Sequence, residues 1–153
     1  MAAKADFNAE EWSLLRQGPG IAGILVATAD RGGSVRESLS IAQFYGETRQ
    51  LWGQEGPVGL VETIIADGPE GVRPDVVAQE GLQRLRRAVD LLERQAGAHE
   101  VEDYRRFVLT LAQRVAEAHK EGGFLGIGGT LGSEHEQAAL DAIADAVGGQ
   151  LPT

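Results

Sequence analysis

The chain has 153 residues with 42% hydrophobic and 24% charged side chains, which is typical of one soluble globular domain spanning residues 1–153. Twenty-three acidic and fourteen basic residues leave a net charge of −9, which argues against a generic nucleic-acid or anionic-membrane binder because both partners are polyanions. Cysteine is absent, which excludes disulfides, thiolate zinc sites and a cysteine nucleophile. The first residues form no apolar run, so we expect a cytoplasmic protein without a signal peptide.

The first predicted helix runs from about Asn8 to Gln17. Asn8 and Glu11 have the spacing of a capping box, in which each side chain binds the other residue's backbone amide. Phe7 and Trp12 have the spacing of a hydrophobic staple across the start of the helix. Both patterns place the beginning of this helix at Asn8.

An apolar segment follows at residues 21–29, IAGILVATA. The triplet Gly18-Pro19-Gly20 before it is predicted to end the first helix, since proline and glycine both interrupt helices. The segment is too short to cross a bilayer core, which needs about twenty residues. Because it is apolar on every side, we expect a short central helix buried all round.

Two more helices are predicted in the first half of the chain. Ser34 and Glu37 have the spacing of a second capping box, and a helix is expected over residues 35–51. Residues 58–66, VGLVETIIA, are again short and apolar and predict a second buried helix. Asp67-Gly68-Pro69 is expected to close it.

Two long amphipathic helices dominate the second half. The first is predicted to start with Asp75 as its N-cap and to reach about Gln95, and the second to run from about Val101 to Glu121. Their apolar residues recur at spacings of three and four, so each helix buries one stripe. These stripes and the two apolar segments predict the following core residues: Ile24, Leu25, Ile64, Leu85, Phe107 and Leu111.

Charged residues of both signs are interleaved on these two helices. The first carries Arg84, Arg86 and Arg87 among Glu80, Asp90 and Glu93. The second has Glu102 and Arg106 at i,i+4 spacing. We therefore expect a solvated face crossed by salt bridges within each helix.

A glycine-rich segment, residues 122–132, precedes the last predicted helix, which has a capping box at Ser133 and Glu136 and ends at Val147. Three interpretations of the segment are open: an anion cradle, an apolar plug at the end of the bundle, and a patch for a partner. It follows a helix and lacks lysine, and Glu134 and Glu136 already occupy the positive end of the next helix dipole. These features favour the plug.

Together these segments predict an all-α, single-domain bundle of about seven helices, two of them short and buried and two long and amphipathic. Runs of β-branched residues with period two are missing. No histidine has the spacing of a zinc-protease or di-iron motif, and no nucleophile elbow or phosphate loop occurs. We therefore expect a protein that is not an enzyme and has no catalytic residues.

Residues 18–36 and 56–73 resemble each other. Both open with Gly-Pro, continue with an apolar run, and then give Ala-Asp, a glycine-containing turn and Val-Arg. Duplication of one unit and convergence of two helix connections on the same signals are both open. Asp30 and Asp67 occupy equivalent places, and loop carboxylates beside glycine-rich turns are ligands that hard divalent cations prefer. The alternative is an aspartate that bonds its own turn.

The run from Ala29 and Asp30 through Ser34 to Glu37 resembles an element of the tellurite-resistance protein B-like family, small all-helical bacterial domains. That element has Ala-Asp-Gly, a hydrophobic residue, a polar cap and Glu before an apolar helix. Residues 133–136 resemble the cap and helix start of a second copy. The resemblance implies a metal-binding or metal-sensing module that acts in a stress response.

By this resemblance Asp30 and Glu37 are ligand candidates, with Glu134 and Glu136 from the second element. Asp67 joins them through the near-repeat, and the expected ion is Ca²⁺, Mg²⁺ or Mn²⁺. The alternative function is a ligand-free scaffold for protein–protein interaction or dimerisation. The expected partner is then a second copy or another protein, with no nucleic acid and no membrane span.

Overall fold

The computed structural model describes residues 4–29, 43, 45–47, 50, 59–122 and 133–148. Within these ranges all regular structure is helical, which confirms the all-α prediction for them. A 3₁₀-helix at Lys4–Asp6 precedes five α-helices: α1 (Ala9–Ala27), α2 (Leu60–Asp67), α3 (Pro74–Gln95), α4 (Ala98–Gly122) and α5 (Ser133–Val147). Residues 43, 45–47 and 50 are helical as well.

Several predictions concern residues outside these ranges. They are the Ser34–Glu37 capping box, most of the helix expected at 35–51 and residues 123–132 of the glycine-rich segment. The turn at Asp30 lies outside these ranges as well.

Helix α1 is the central element of the bundle. Its most extensive contacts are with α3 and α4, while α5 packs against α3 and α4 and α2 packs on α1 and α4. Residues 21–27 of the apolar segment form the second half of α1, and all of them except Leu25 are buried, as expected from an all-round apolar sequence.

The predicted core is largely confirmed. Five of the six side chains are buried: Ile24, Ile64, Leu85, Phe107 and Leu111. Leu25 is only partly buried and packs against the edge of the core, near Gly81 of α3. Tyr45 adds to the core from the first half of the chain, where its ring meets that of Phe107 edge-on at 4.8 Å between centroids.

The start of α1 follows the prediction. The Asn8 side chain accepts a hydrogen bond from the Glu11 amide at 2.8 Å, and the Glu11 carboxylate accepts one from the Asn8 amide at 2.9 Å. The rings of Phe7 and Trp12 lie 6.0 Å apart between centroids and both are buried. The capping box and the staple are therefore both present.

The prediction that Gly18-Pro19-Gly20 ends the first helix is wrong. α1 continues through Pro19 to Ala27, so two predicted helices are one, and the expected number of about seven was too high. Pro19 has no N–H to donate to the Leu15 carbonyl four residues earlier. The Tyr104 hydroxyl of α4 donates to that oxygen instead, at 2.8 Å.

Two other helix starts differ from the prediction. Asp75 is not the N-cap of α3: the helix begins at Pro74, a residue suited to the first helical position, and Asp75 pairs with Arg73 in the first turn. α4 begins at Ala98 rather than near Val101, because the Glu100 carboxylate accepts a hydrogen bond from the Gly97 amide at 3.1 Å.

Candidate functional site

Of the two equivalent aspartates of the near-repeat, Asp67 lies in the described residues, as the last residue of α2. Its Oδ2 accepts hydrogen bonds from Lys4 Nζ at 2.8 Å and from Trp12 Nε1 at 2.9 Å. These two bonds, that from Lys4 first, lower the pKa of Asp67 below its usual value. The Lys4 ammonium also lies 5.4 Å from the centre of the Trp12 ring. Asp67 therefore fastens the end of α2 to the N-terminal residues.

The residues after Asp67 are held to α1 in the same way. Arg16 donates from Nε to the Gly68 carbonyl at 3.0 Å and from Nη2 to the Asp67 carbonyl at 3.2 Å. The Glu70 carboxylate accepts hydrogen bonds from the Ser13 hydroxyl and the Gln17 amide, which lower its pKa, Ser13 contributing most. We call residues 67–70 with these α1 partners the clasp.

The predicted metal ligands are not brought together in the described part of the chain. The Oδ2 atom of Asp67 accepts from both Lys4 and Trp12, and the Lys4 ammonium 2.8 Å away opposes a second cation at this carboxylate. Glu134 is exposed and Glu136 is buried, both at the start of α5. Asp30 and Glu37 lie outside the described residues. Within them, no group of three or more His, Asp or Glu side chains is arranged to hold a metal ion. Divalent-ion binding stays a prediction.

Most basic side chains in the described residues are paired with carboxylates. The ion-paired ones are Lys4, Arg16, Arg73, Arg84, Arg105 and Arg114. Arg105 shows how these pairs organise the bundle: it binds Glu93 of α3 and Glu102 of its own helix, each at 2.8 Å, and donates to the Val147 carbonyl at the end of α5. The Arg105 guanidinium is favourable at the end of α5 because the helix dipole gives the C-terminus of a helix a partial negative charge.

Three arginines on the outward face of α3 differ from this pattern. Arg86, Arg87 and Arg94 are exposed, and in the part of the chain that the structure describes they form no ion pair. Asp90 lies within one turn of each and does not pair with them. We call these three residues the arginine stripe. The prediction of a salt-bridged α3 face is met only by the Arg84–Glu80 pair at 3.0 Å.

Helix α5 carries the opposite charge. Its sequence, SEHEQAALDAIADAV, contains no lysine or arginine. Glu134, Asp141 and Asp145 are exposed and form no ion pair among the described residues; the Gln137 amide donates to Asp141 at 3.1 Å. We call these three carboxylates the acidic stripe. The sequence contains this signal, since the charges are of one sign, but of the three residues only Glu134 has a predicted role, at the helix start and as a metal ligand.

Comparison with known proteins gives no family for this chain. No protein-family model, curated protein or solved structure matches it. The resemblance to the tellurite-resistance protein B-like family therefore stays a prediction that rests on the two short elements. No helix in the described ranges is both long and apolar enough to cross a membrane.

Proposed function

We propose that this chain is a non-enzymatic helical module that binds an acidic protein surface through the arginine stripe. The observation that carries the proposal is that some basic side chains of this molecule form ion pairs and three arginines of one helix do not. Six other lysine and arginine side chains in the described residues have carboxylate partners, whereas Arg86, Arg87 and Arg94 have none. Acidic residues outnumber basic ones in this chain, and three arginines on one helix face nevertheless have no carboxylate partner among the described residues.

Arginine is suited to such a surface for two reasons. Its planar guanidinium forms paired hydrogen bonds with a carboxylate, and it is less strongly hydrated than a lysine ammonium, so contact with a partner costs less desolvation. Arginine is also enriched in protein–protein interfaces, in which lysine is depleted.

The net charge of −9 favours a protein over a nucleic acid as the partner. A polyanion with a phosphate at every step interacts with the whole field of the chain and is repelled by it. A local acidic patch on a protein feels mainly the nearest charges, because the Debye length is about 8 Å at physiological salt. The nearest charges are then those of the three arginines on one face.

A peptide-binding experiment tests the proposal. The probe is a fluorescent alanine-based helical peptide with glutamates seven residues apart, and fluorescence anisotropy measures its binding in about 0.15 M salt, where the repulsion between the acidic chain and the acidic peptide is largely screened. We expect binding that Arg86→Gln/Arg87→Gln/Arg94→Gln weakens at least fivefold, which corresponds to about 1 kcal/mol. The same peptide with glutamine in place of glutamate should not bind.

Arg73→Gln is the matched control for a single Arg94→Gln change. Arg73 is exposed at the start of the same helix but is paired with Asp75, so its loss should leave peptide binding unchanged. Equal binding by the wild type and the triple variant would overturn the proposal. So would tighter binding of a single-stranded oligonucleotide than of the peptide, because the stripe would then serve a nucleic acid.

A further inference from the structure

We infer that the acidic surface bound by the arginine stripe is the acidic stripe on α5 of a second copy of this chain. The inference rests on the proposed function, since it names the partner of the same surface. It begins from two exposed helix faces of opposite charge, both without ion pairs among the described residues.

The two stripes match in spacing. Arg87 and Arg94 are seven residues apart, as are Glu134 and Asp141. Seven residues are close to two helical turns, so each pair lies on one side of its helix with its members about 10.5 Å apart. Two arginine–carboxylate pairs can therefore form at once when the helices lie side by side.

Asp90 does not disturb this register. With the helices parallel, Arg87 faces Glu134 and Arg94 faces Asp141, and the residue opposite Asp90 is Gln137. With the helices antiparallel, the residue opposite Asp90 is Ala138. Both are exposed, and neither is acidic, so neither arrangement places two carboxylates against each other.

The stripes do not meet within one molecule. α3 and α5 pack against each other, and Arg105 holds their C-terminal ends together through Glu93 and Val147. Their charged residues nevertheless form no ion pair between the two helices in the described ranges, because both stripes are on outward faces. Each copy thus presents one basic and one acidic stripe. In a symmetric dimer the contact between a basic and an acidic stripe can therefore form twice.

Salt is expected both to favour the dimer, by screening long-range repulsion, and at high concentration to weaken it, by screening the ion pairs. Two chains of net charge −9 repel each other at long range, and this repulsion is strong when salt is very low. Near 0.15 M salt the Debye length of about 8 Å suppresses the repulsion while paired groups in contact still attract. Dimer formation should therefore be strongest near physiological salt and weaker at about 0.01 M and about 1 M.

Charge reversal tests the inference on the full chain. Sedimentation equilibrium should give a dimer whose dissociation constant rises at least tenfold in Arg87→Glu/Arg94→Glu, and equally in Glu134→Lys/Asp141→Lys. An equimolar mixture of the two variants should form a heterodimer, because the exchanged charges again match. Glu10→Lys/Glu62→Lys changes the net charge as Glu134→Lys/Asp141→Lys does, at two other exposed positions, and should not break the dimer.

Each outcome decides a different question. Circular dichroism first shows that the variants keep the helical fold. A wild type that stays monomeric at every salt concentration overturns the inference, while binding of the acidic peptide would still support the proposed function. A dimer that neither charge-reversed variant weakens also overturns the inference, since another surface then holds it together.

Discussion

The Tyr104 hydroxyl of α4 donates a hydrogen bond to the Leu15 carbonyl of α1, across 89 positions of sequence. This carbonyl is the one that Pro19 leaves without a backbone donor. Burial raises the pKa of Tyr104, so the hydroxyl keeps its proton and remains a donor. A side chain from a neighbouring helix thus completes a hydrogen-bond ladder that the sequence of α1 interrupts.

Replacing Tyr104 by phenylalanine should destabilise the protein by about 1–3 kcal/mol, because the buried Leu15 carbonyl loses its partner. Urea unfolding measures the change. Pro19→Ala restores a backbone N–H at the position that can reach Leu15. The cost of Tyr104→Phe should therefore be smaller in the Pro19→Ala background, and equal costs in both backgrounds would contradict this account.

Gly18→Ala should destabilise the protein by about 1–3 kcal/mol, the usual cost of overpacking a core. A Cβ on residue 18 would overlap the Tyr104 hydroxyl, so either the hydrogen bond to Leu15 or the packing of the two helices must give way. Gly71→Ala is the control, since nothing lies near its Cβ position. Thermal unfolding should separate the two variants, and equal losses would show that space at residue 18 is not limiting.

Asp67→Asn should lower the melting temperature at pH 7 and make the loss of stability in acid less steep. The pKa of Asp67 is lower in the folded chain than its ordinary value of 3.8, so its charge stabilises the fold above that value. This contribution disappears as the pH falls below about 4 and through the lower folded pKa.

Melting temperatures measured from pH 7 to about pH 3 test this prediction. The difference between the wild type and Asp67→Asn should shrink as the solution becomes more acidic. Asp145→Asn removes an exposed carboxylate that forms no ion pair among the described residues, and it serves as the control. A constant difference between the wild type and Asp67→Asn at every pH would show that the Lys4 and Trp12 bonds do not depend on the charge of Asp67.

Divalent ions should raise the melting temperature if the predicted loop carboxylates bind them, because a ligand of the folded state alone stabilises that state. With few carboxylates close together we expect an affinity in the millimolar range. Asp30→Ala should abolish the effect of Ca²⁺, Mg²⁺ or Mn²⁺. Asp67→Asn should retain it, since Lys4 and Trp12 already bind Oδ2 of that carboxylate and the Lys4 ammonium opposes a second cation there. No stabilisation by about 5 mM of any of the three ions would contradict the metal hypothesis.

The features that could be predicted from the sequence depend on residues close together in the chain. The Asn8–Glu11 capping box and the Phe7–Trp12 staple are set by spacings of three and five residues along one helix start, so local geometry is sufficient. The buried stripes of the long helices follow from the helical period in the same way. The all-α class and most of the core were therefore predictable.

What only the tertiary structure decided involves partners far apart in sequence. Gly18-Pro19-Gly20 carries a local signal to stop the helix, and a hydroxyl from α4 overrides it. Asp67 has the same local setting as a loop ligand, yet Lys4 and Trp12, more than fifty residues away, give it a structural role. Arg86, Arg87 and Arg94 of α3 have Asp90 at helical spacing, yet they face outward and form no ion pair among the described residues. Spacing brings charges within reach of each other, but solvation and side-chain entropy decide whether an exposed pair forms.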